Sequence, residues 1–389
     1  MAKMCGTGAG CLSEDEVRMR LLLDARNITD KPAGVARYAK ALIPELARLM
    51  PDGELCVIRH ASNQTPLEVP GIKEVFVDIP IDNTRNVLFG HKALGEAFRK
   101  FGPPDIYHNL FHVSPRRLPD SLKVVVTLHD LVWIEHPDAS QPTWLKARAI
   151  EQFAKRAIPA TLKRADHVIS VSDFTAERAR RYHSSPTTVI MHGVETHFFD
   201  PVPPVDPIVE HLTRDQTRYI VAVGNSKPYK NLHRLIRAWA RVRPKLGKSK
   251  LCLVGDNKAL MPLIEELGLK DDVVLVGFLG DEDLRRIVGH AHLFAFPSLV
   301  EGFGLPPLEA MALGVPVILS NIEPMKTVGG EAALSFDPLD IEAIAQAIES
   351  VFKDDTLHQK MIQKGKAHAA AMTWTRAAEE TLKVYKTFG

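Results

Sequence analysis

Two glutamates frame a glycine-rich turn close to residue 300. Glu301 comes directly before Gly302 and Gly304, and Glu309 follows them in an apolar segment. A carboxylate accepts hydrogen bonds from two neighbouring hydroxyls at once, and a sugar or a ribose offers hydroxyls of this kind. Either glutamate alone could be a solvated surface residue, but two of them around one turn favour a site for a hydroxyl-bearing ring.

The turn itself favours a phosphate. Gly302 and Gly304 allow the backbone to approach a ligand closely and to adopt positive φ. Pro306 and Pro307 suit the first turn of a helix, where a backbone N–H would be unpaired in any case. Free N–H groups and the positive end of the helix dipole therefore face whatever lies above the turn, and both attract an anion.

Two lysines lie on a second turn, which follows a β-branched run. Lys227 and Lys230 come after Gly224, Asn225 and Ser226. Cations placed here would stabilise the negative charge that grows on a departing diphosphate, and they would do so without a metal. The alternative is two solvated lysines at a helix start, which is an unfavourable place for cations because of the helix dipole.

The elements that must position these turns are clearest in the second half of the chain. Short β-branched runs alternate there with amphipathic segments, which predicts βαβ units and a parallel sheet. The predicted strands are 219–223, 251–254, 273–276, 293–296 and 315–319, and the predicted helices are 232–242, 260–267, 283–288 and 305–313. Small residues such as Gly255 end these strands, and in such sheets ligands bind outside the carboxyl ends of the strands.

The first half repeats this pattern less regularly. Its predicted strands are 20–23, 55–59, 75–77, 106–108, 124–128, 168–171 and 188–191, and its predicted helices are 35–49, 87–101, 143–163 and 175–181. Four prolines between residues 201 and 207 predict a stiff, extended linker. We therefore predict an α/β chain with a flexible leader at 1–16, an N-terminal domain at 17–199, a linker at 200–217 and a C-terminal domain at 218–372.

Composition narrows the class of protein. The 389 residues suffice for two domains, and the net charge of +2 is too close to neutral to favour a nucleic-acid partner. No apolar run approaches the ~20 residues of a membrane-spanning helix, and the N-terminus lacks the apolar stretch of a signal peptide. None of the four cysteines has metal-ligand spacing. Reduced thiols in a reducing compartment are therefore expected, which predicts a cytoplasmic protein.

The run from Ala291 to Pro338 resembles the donor-binding segment of retaining GT-B glycosyltransferases, the large GT4-type family. The spacing of its two glutamates is similar to the E-x7-E motif of that family. The run from Asp24 to Tyr38 is most similar to mannosyltransferase members. The resemblance implies two Rossmann-like parallel-sheet domains that face each other across a cleft. It also implies that residues 373–389 cross back and complete the N-terminal, acceptor-side domain, while the C-terminal domain binds the nucleotide sugar.

The resemblance further implies roles for individual residues. Glu301 would hold hydroxyls of the donor sugar, and Glu309 those of the nucleotide ribose. Lys230 matches a family lysine at the diphosphate, but the usual arginine is absent, so Lys227 or the backbone just before it would have to substitute. His129, at a strand end where a histidine is otherwise more often structural, matches a residue near the reacting sugar. The remaining implied donor-binding residues are Gly34, Gly224, Asn225, Ser226, Gly255, Phe278, Leu279, Gly302, Phe303, Gly304 and Leu305.

Three other patterns have simpler explanations than the sites they suggest. The Asp281-Glu282-Asp283 run is spaced like a D-x-D metal site, but acidic residues are expected at a helix start. His108 and His112 lack a third ligand, so we predict no metal. The basic segment 141–183 could contact an anionic membrane or a lipid-diphosphate acceptor, although a solvated basic face is the simpler interpretation.

Together these features predict a retaining, metal-independent hexosyltransferase without a cofactor. The expected location is the cytoplasm, and peripheral contact with the inner face of a membrane stays open. Mannose from GDP-mannose is the expected donor group, and a glycan or lipid-linked sugar is the expected acceptor. UDP-glucose or another nucleotide sugar is the alternative donor. A nucleotide-sugar-binding protein without turnover is the competing class, and the missing arginine supports it. A dehydrogenase is disfavoured because no G-x-G-x-x-G follows a predicted strand.

Overall fold

The computed structural model describes residues 19–28, 34–140 and 143–388. The predicted leader at 1–16, with Cys5 and Cys11, lies outside the described residues. The other two cysteines, Cys56 and Cys252, are free and buried, as their apolar surroundings in the sequence predict.

Two parallel sheets organise the described chain, which confirms the predicted α/β class. The first contains β1 (Arg20–Asp24), β2 (Glu54–His60), β3 (Ile72–Val77), β4 (Ile106–Asn109), β5 (Lys123–Leu128), β6 (His167–Ser170) and β7 (Thr187–Val189) in the order β3-β2-β1-β4-β5-β6-β7. The second contains β8 (Arg218–Val223), β9 (Ser249–Val254), β10 (Val273–Val276), β11 (Leu293–Phe296), β12 (Val317–Ser320) and β13 (Leu334–Phe336) in the order β10-β9-β8-β11-β12-β13. The strand order reverses between β1 and β4 and between β8 and β11. Ligand crevices form at such reversals, outside the carboxyl ends of the strands.

Helices cover both faces of each sheet because parallel strands need crossover connections. In the first domain they are α1 (Gly34–Leu49), α2 (Thr84–Phe101), α3 (Val132–Glu135), α4 (Pro137–Ser140), α5 (Trp144–Arg164) and α6 (Asp173–Ala179). They continue with α7 (Pro207–Thr213), α8 (Leu232–Val242), α9 (Met261–Glu266), α10 (Asp281–Gly289), α11 (Leu305–Ala312), α12 (Met325–Gly329), α13 (Ile341–Lys353), α14 (Asp355–Ala370) and α15 (Trp374–Tyr385). The predicted bounds of α8 agree with the structure to the residue. In contrast, β13, α13 and α14 were not among the predicted elements.

The segment between the domains differs from the predicted linker. Residues 201–206 are extended, but Pro207 begins α7, and the Asp206 side chain accepts a hydrogen bond of 2.8 Å from the Val209 N–H at its start. The predicted extended proline run therefore ends one residue early, at Asp206, because Pro207 begins a helix. Proline fits the first turn of a helix, where its missing N–H is not needed, so the last of the four prolines starts a helix. Val209 and Leu212 then anchor α7 in the core.

The C-terminal helix α15 lies on the first domain. It packs against α1, and the Tyr385 hydroxyl is hydrogen-bonded to buried His108. The connection that leads into it runs beside the other interdomain connection, where Val194 pairs with Thr373. A Cβ on Gly193 would lie 2.1 Å from the Trp374 nitrogen, so only glycine allows this contact. The two connections therefore form one hinge region behind the cleft.

A buried ion pair fixes the end of β1. Arg26 donates to both carboxylate oxygens of Asp24, at 2.8 and 2.6 Å, and both side chains are fully buried. The Tyr107 hydroxyl donates to the same carboxylate at 2.7 Å, and Arg26 also donates to Asn86 at 2.8 Å. The Asp-Ala-Arg run that resembles mannosyltransferases therefore positions strand ends in the core and does not line the cleft.

We predict that Arg26→Met lowers the free energy of unfolding by about 3–5 kcal/mol, because it leaves the Asp24 carboxylate buried without its cation. Urea unfolding followed by circular dichroism measures the change. Arg376→Met is the control, since it breaks a pair with Glu380 in which the arginine side chain is 61% exposed, and it should cost about 0–1 kcal/mol. Equal losses in the two variants would contradict the assigned role of the buried pair.

Candidate active site

A cleft of about 350 Å³ opens between the two domains, and residues of both sheets' carboxyl-terminal loops line it. This volume suits a small-molecule ligand. Of the sixteen predicted site residues, thirteen line the cleft: Gly34, His129, Gly224, Asn225, Lys230, Gly255, Phe278, Leu279, Glu301, Gly302, Phe303, Gly304 and Leu305. Residues far apart in sequence thus meet at one place. Ser226, Lys227 and Glu309 are not among the lining residues.

Lys230 and Glu301 meet because β8 and β11 are neighbouring strands whose carboxyl ends carry the two turns. The Lys230 Nζ lies 2.6 Å from the Glu301 Oε1, and both side chains are largely buried. Burial acts to lower the pKa of Lys230, but the charge and hydrogen bond of Glu301, together with the nearby Tyr229 and Asp130, outweigh burial, and the pKa is raised. The lysine is therefore a cation within the cleft at neutral pH.

Asn231 holds the lysine turn in place. It adopts left-handed φ of 57°, which asparagine tolerates better than most residues, and its side chain is fully buried. Its Nδ2 donates to the Pro297 carbonyl at 2.9 Å and to the Pro338 carbonyl at 2.8 Å. The side chain thereby ties the turn after β8 to the turn after β11, and this fixes Lys230 beside Glu301.

Lys227 does not reach the cleft. It is exposed, and its backbone N–H donates to the Asn225 Oδ1 at 3.2 Å. A 3₁₀ turn from Pro228 to Lys230 follows it and turns Lys230 inward. The structure therefore brings only the second lysine of this turn to the site, and Ser226 likewise remains outside.

The glutamate turn touches the first domain directly. A Cβ on Gly302 would lie 2.0 Å from the His129 carbonyl oxygen, and the Ser172 hydroxyl donates to the Gly302 carbonyl at 3.0 Å. At this position glycine is required by close backbone approach across the cleft. The two domains are thus in a closed arrangement, with the turn of one against the strand end of the other.

His129 is buried and neutral. Its Nε2 lies 3.0 Å from the Leu110 carbonyl oxygen, which can only accept, so Nε2 carries the proton and Nδ1 is left as an acceptor. Burial lowers the pKa of His129 to about 4. The imidazole can therefore accept a hydrogen bond from a ligand hydroxyl in the cleft at physiological pH, and it carries no charge that would repel Lys230.

Glu309 lies behind the cleft wall, in the second turn of α11. Arg37, in the first turn of α1, places its Nη1 2.7 Å from the Glu309 Oε1 and its Nη2 3.2 Å from the Glu195 Oε1. Arg37 itself lines the cleft. The predicted ribose-binding carboxylate is thus paired with a cation that belongs to the opposite domain.

Four charged or polar residues of the cleft were missing from the predicted site: Arg37, Asp130, His192 and Asp281. Arg37, Asp130 and Asp281 lie within three residues of a predicted site residue, and His192 directly follows the predicted strand 188–191. Arg37 follows Gly34, and Asp130 follows His129. Burial raises the pKa of the Asp130 carboxyl, and the hydrogen bond from the Val132 N–H and the charge of the nearby Lys230 oppose that effect. Adjacency in sequence was the available signal, but it could not tell which neighbours point into the cleft.

The residues of the three other patterns form ion pairs or are buried in the described chain. Arg286 pairs with Glu282 at 2.9 Å and with Asp283, and the described residues contain no group of three metal-ligating side chains. Burial lowers the pKa of both His108 and His112 to about 3. Glu135 and Glu151 each pair with two basic residues of the segment 141–183, so part of its positive charge is neutralised internally. Among the described helices, none has the length and apolar character that a membrane crossing requires.

Comparisons with known proteins agree with this geometry. Residues 208–368 match the family model "Glycosyl transferases group 1", and residues 32–198 match "Glycosyltransferase Family 4". The O-antigen chain mannosyltransferase B of Escherichia coli is 26% identical over 95% of this chain and 100% of its own length. Among solved structures, sucrose-phosphate synthase of Thermosynechococcus elongatus aligns with a TM-score of 0.74 at 19% identity, over 95% of this chain and 99% of its own. The HepE structure of Anabaena in complex with UDP-glucose aligns with a TM-score of 0.67 at 17% identity, over 95% and 100%.

We predict that Gly302→Ala opens the cleft, because its Cβ would overlap the His129 carbonyl oxygen. Amide hydrogen exchange at residues 302–304 should become faster by about tenfold or more. This corresponds to a loss of roughly 1.4 kcal/mol in the free energy that favours the closed arrangement. Gly277→Ala is the control, since a Cβ there meets nothing within 4 Å, and it should leave exchange in this turn unchanged. Unaltered exchange in Gly302→Ala would show that this contact does not hold the domains together.

Proposed function

Because the chain belongs to the GT4-type glycosyltransferases of the GT-B fold (glycosyl transferases group 1), we propose that it transfers mannose from GDP-mannose to a glycan or lipid-linked acceptor, with retention of anomeric configuration. The enzyme class, a hexosyltransferase, follows from the two family models and from the mannosyltransferase relatives. The donor, the acceptor and the stereochemistry are the proposed part.

The observation that carries the proposal is the Lys230–Glu301 pair at the strand reversal of the C-terminal domain, 2.6 Å apart beside the start of α11. When a nucleotide sugar binds, the ammonium group attracts the diphosphate, while the carboxylate accepts hydrogen bonds from the sugar hydroxyls. Amide N–H groups at the turn before α11 add positive potential to the same place. The pair thus matches a ligand that has an anionic part and a hydroxyl-rich part side by side.

Catalysis in this proposal is electrostatic. The bond between the anomeric carbon and the diphosphate oxygen breaks, and the leaving diphosphate gains charge that Lys230 and the amide dipoles stabilise. The acceptor oxygen attacks from the same face, and its proton passes to the departing phosphate oxygen. Neutral His129 accepts a hydrogen bond from the sugar and orients it. Contact of the Gly302 turn with the first domain excludes water, which limits hydrolysis of the donor.

The choice of GDP-mannose is supported by the curated relative that aligns over its full length, which is named a mannosyltransferase. UDP-glucose is the second candidate donor, because it is bound in the HepE structure of the same fold. Differential scanning fluorimetry with GDP-, UDP-, dTDP- and ADP-sugars separates these donors. A ligand at about 100 times its dissociation constant stabilises the folded state by roughly 2.7 kcal/mol.

A lipid-linked acceptor is supported by the start of α5. Trp144 and Leu145 are 69% and 64% exposed there, beside the exposed cation Lys146. The neighbouring α4 contacts the Pro228–Lys230 turn, so this apolar tip is near the rim of the cleft. An apolar tip beside a cation suits a lipid carrier whose sugar enters the cleft. Such an acceptor would also bring the enzyme to the inner face of a membrane.

We predict that Lys230→Met lowers kcat by about 10²–10³-fold, because the charge of the leaving diphosphate loses its cation. Release of the nucleotide diphosphate in a coupled assay measures turnover. Lys227→Met is the matched control on the same turn, and it should stay within about twofold of wild type because its side chain is exposed. Equal activity of wild type and Lys230→Met would contradict the mechanism. Donor binding by wild type without turnover on any acceptor would instead favour a binding protein.

We further predict that EDTA leaves turnover of the wild type unchanged, since Lys230 and the amide dipoles take the place of a divalent cation at the diphosphate. The assay compares rates after exhaustive dialysis against EDTA with rates after addition of Mg²⁺ or Mn²⁺. Loss of activity that either metal restores would overturn the metal-independent mechanism, whatever the donor proves to be.

A further inference from the structure

We propose that Arg37 is a positioning residue for the donor site: from the acceptor-side domain it pairs with the Glu309 carboxylate and holds it in place toward the nucleotide ribose. The proposal rests on the proposed function and on the role that the family resemblance implies for Glu309, which is to accept hydrogen bonds from the ribose hydroxyls. It adds that this carboxylate needs a cation from the other side of the cleft. Nucleotide binding in one domain would then depend on a residue of its neighbour.

The geometry of Arg37 is that of a fork between two acids. One guanidinium nitrogen lies 2.7 Å from the Glu309 Oε1, and the other lies 3.2 Å from the Glu195 Oε1. The guanidinium carbon also lies over the Phe198 ring, 5.5 Å from its centre. Since two carboxylates and an aromatic ring hold it, Arg37 has one preferred position, and so has the Glu309 carboxylate to which it donates.

The position of Arg37 in its helix also indicates that its acidic partners, and not the helix, stabilise its charge. A cation in the first turn of α1 is disfavoured by the helix dipole, so its own helix does not stabilise it. The Glu309 side chain is only 6% exposed, and an ionised carboxylate buried to this extent requires a partner of opposite charge. Each of the two groups would be unfavourable alone, and they stabilise each other.

The groups that act on Glu309 come from three elements. Arg37 on α1 is the cation, while Glu195 on the hinge segment and Asp281 at the start of α10 are anions. Burial raises the pKa of Glu309, Arg37 opposes this effect, and the two anions add to it. Loss of the Arg37 charge must therefore raise this pKa further.

Loss of Arg37 should shift the pH dependence of nucleotide affinity in one direction, toward higher pH. Glu309 grips two hydroxyls as a carboxylate, so nucleotide affinity is lost as pH falls through its pKa. Without Arg37 that pKa is higher, and affinity is lost at a higher pH. A residue with a purely structural role would weaken binding equally at all pH values, whereas Arg37 should move the acid limb of the profile.

The test is the dissociation constant of GDP, with UDP in parallel, measured by isothermal titration calorimetry between about pH 5 and about pH 9. Arg37→Met should weaken binding by about tenfold or more at the acid end, as loss of a supporting group commonly does, and by less at the alkaline end. Arg37→Lys should restore most of the affinity. Glu195→Gln removes an anion and keeps the arginine, so its acid limb should move in the opposite direction, to lower pH.

Two further measurements keep the outcome interpretable. With 2′,3′-dideoxy-GDP, which lacks the ribose hydroxyls, Arg37→Met should bind as wild type does, and this also shows that the variant is folded. If Glu309→Gln weakens GDP binding but Arg37→Met does not, or if the Arg37→Met loss is the same at every pH, the role of Arg37 is overturned while the proposed function stands. If Glu309→Gln itself has no effect on GDP binding, the ribose role of Glu309 in the proposed function fails as well.

Discussion

Charge balance inside a buried cleft is the constraint on which the rest of this structure depends. An unpaired carboxylate in such a place would be costly or would take up a proton, so each glutamate of the E-x7-E motif has its own cation. Glu301 pairs with Lys230 of the same domain, and Glu309 pairs with Arg37 of the other. These pairs place positive charge where a diphosphate is proposed to lie.

The fold supplies these pairs through strand order. The strand order reverses between the parallel neighbours β8 and β11, so the two turns that carry Lys230 and Glu301 emerge side by side although 71 residues separate them. Asn231 then fixes their distance with two buried hydrogen bonds to the carbonyls of Pro297 and Pro338. In the first domain, α1 begins at the same edge as the His129 strand end, and Arg37 projects from its first turn. Both halves of the site thus follow from doubly wound sheets that face each other.

The sequence allowed prediction of what depends on local patterns. Alternating strand and helix periods predicted the two sheets, and the Gly-Phe-Gly and Pro-Pro turn predicted the start of α11. Local patterns could not predict which side chains face the cleft or pair across the domains, because this depends on residues distant in sequence. Lys227 and Lys230 were both predicted to act on the diphosphate, and the 3₁₀ turn from Pro228 to Lys230 brings only Lys230 to the cleft. Arg37 was missed because its partners come from other parts of the chain. Pro207 was misinterpreted because proline both interrupts strands and begins helices.

The division of the two cations between the domains has a physical consequence for the enzyme. In this cleft the lysine turn contributes one inward cation, Lys230, and the arginine that the family usually carries beside it is absent. A lysine is a point charge that can follow a moving phosphate, whereas the planar guanidinium of Arg37 is held in a fork by Glu309 and Glu195. Separating the domains would break the pair between Glu309 and Arg37, and this opposes opening. Closure brings Gly302 into close contact with the His129 carbonyl. The same electrostatic arrangement thus favours domain closure and, in the proposed function, nucleotide binding.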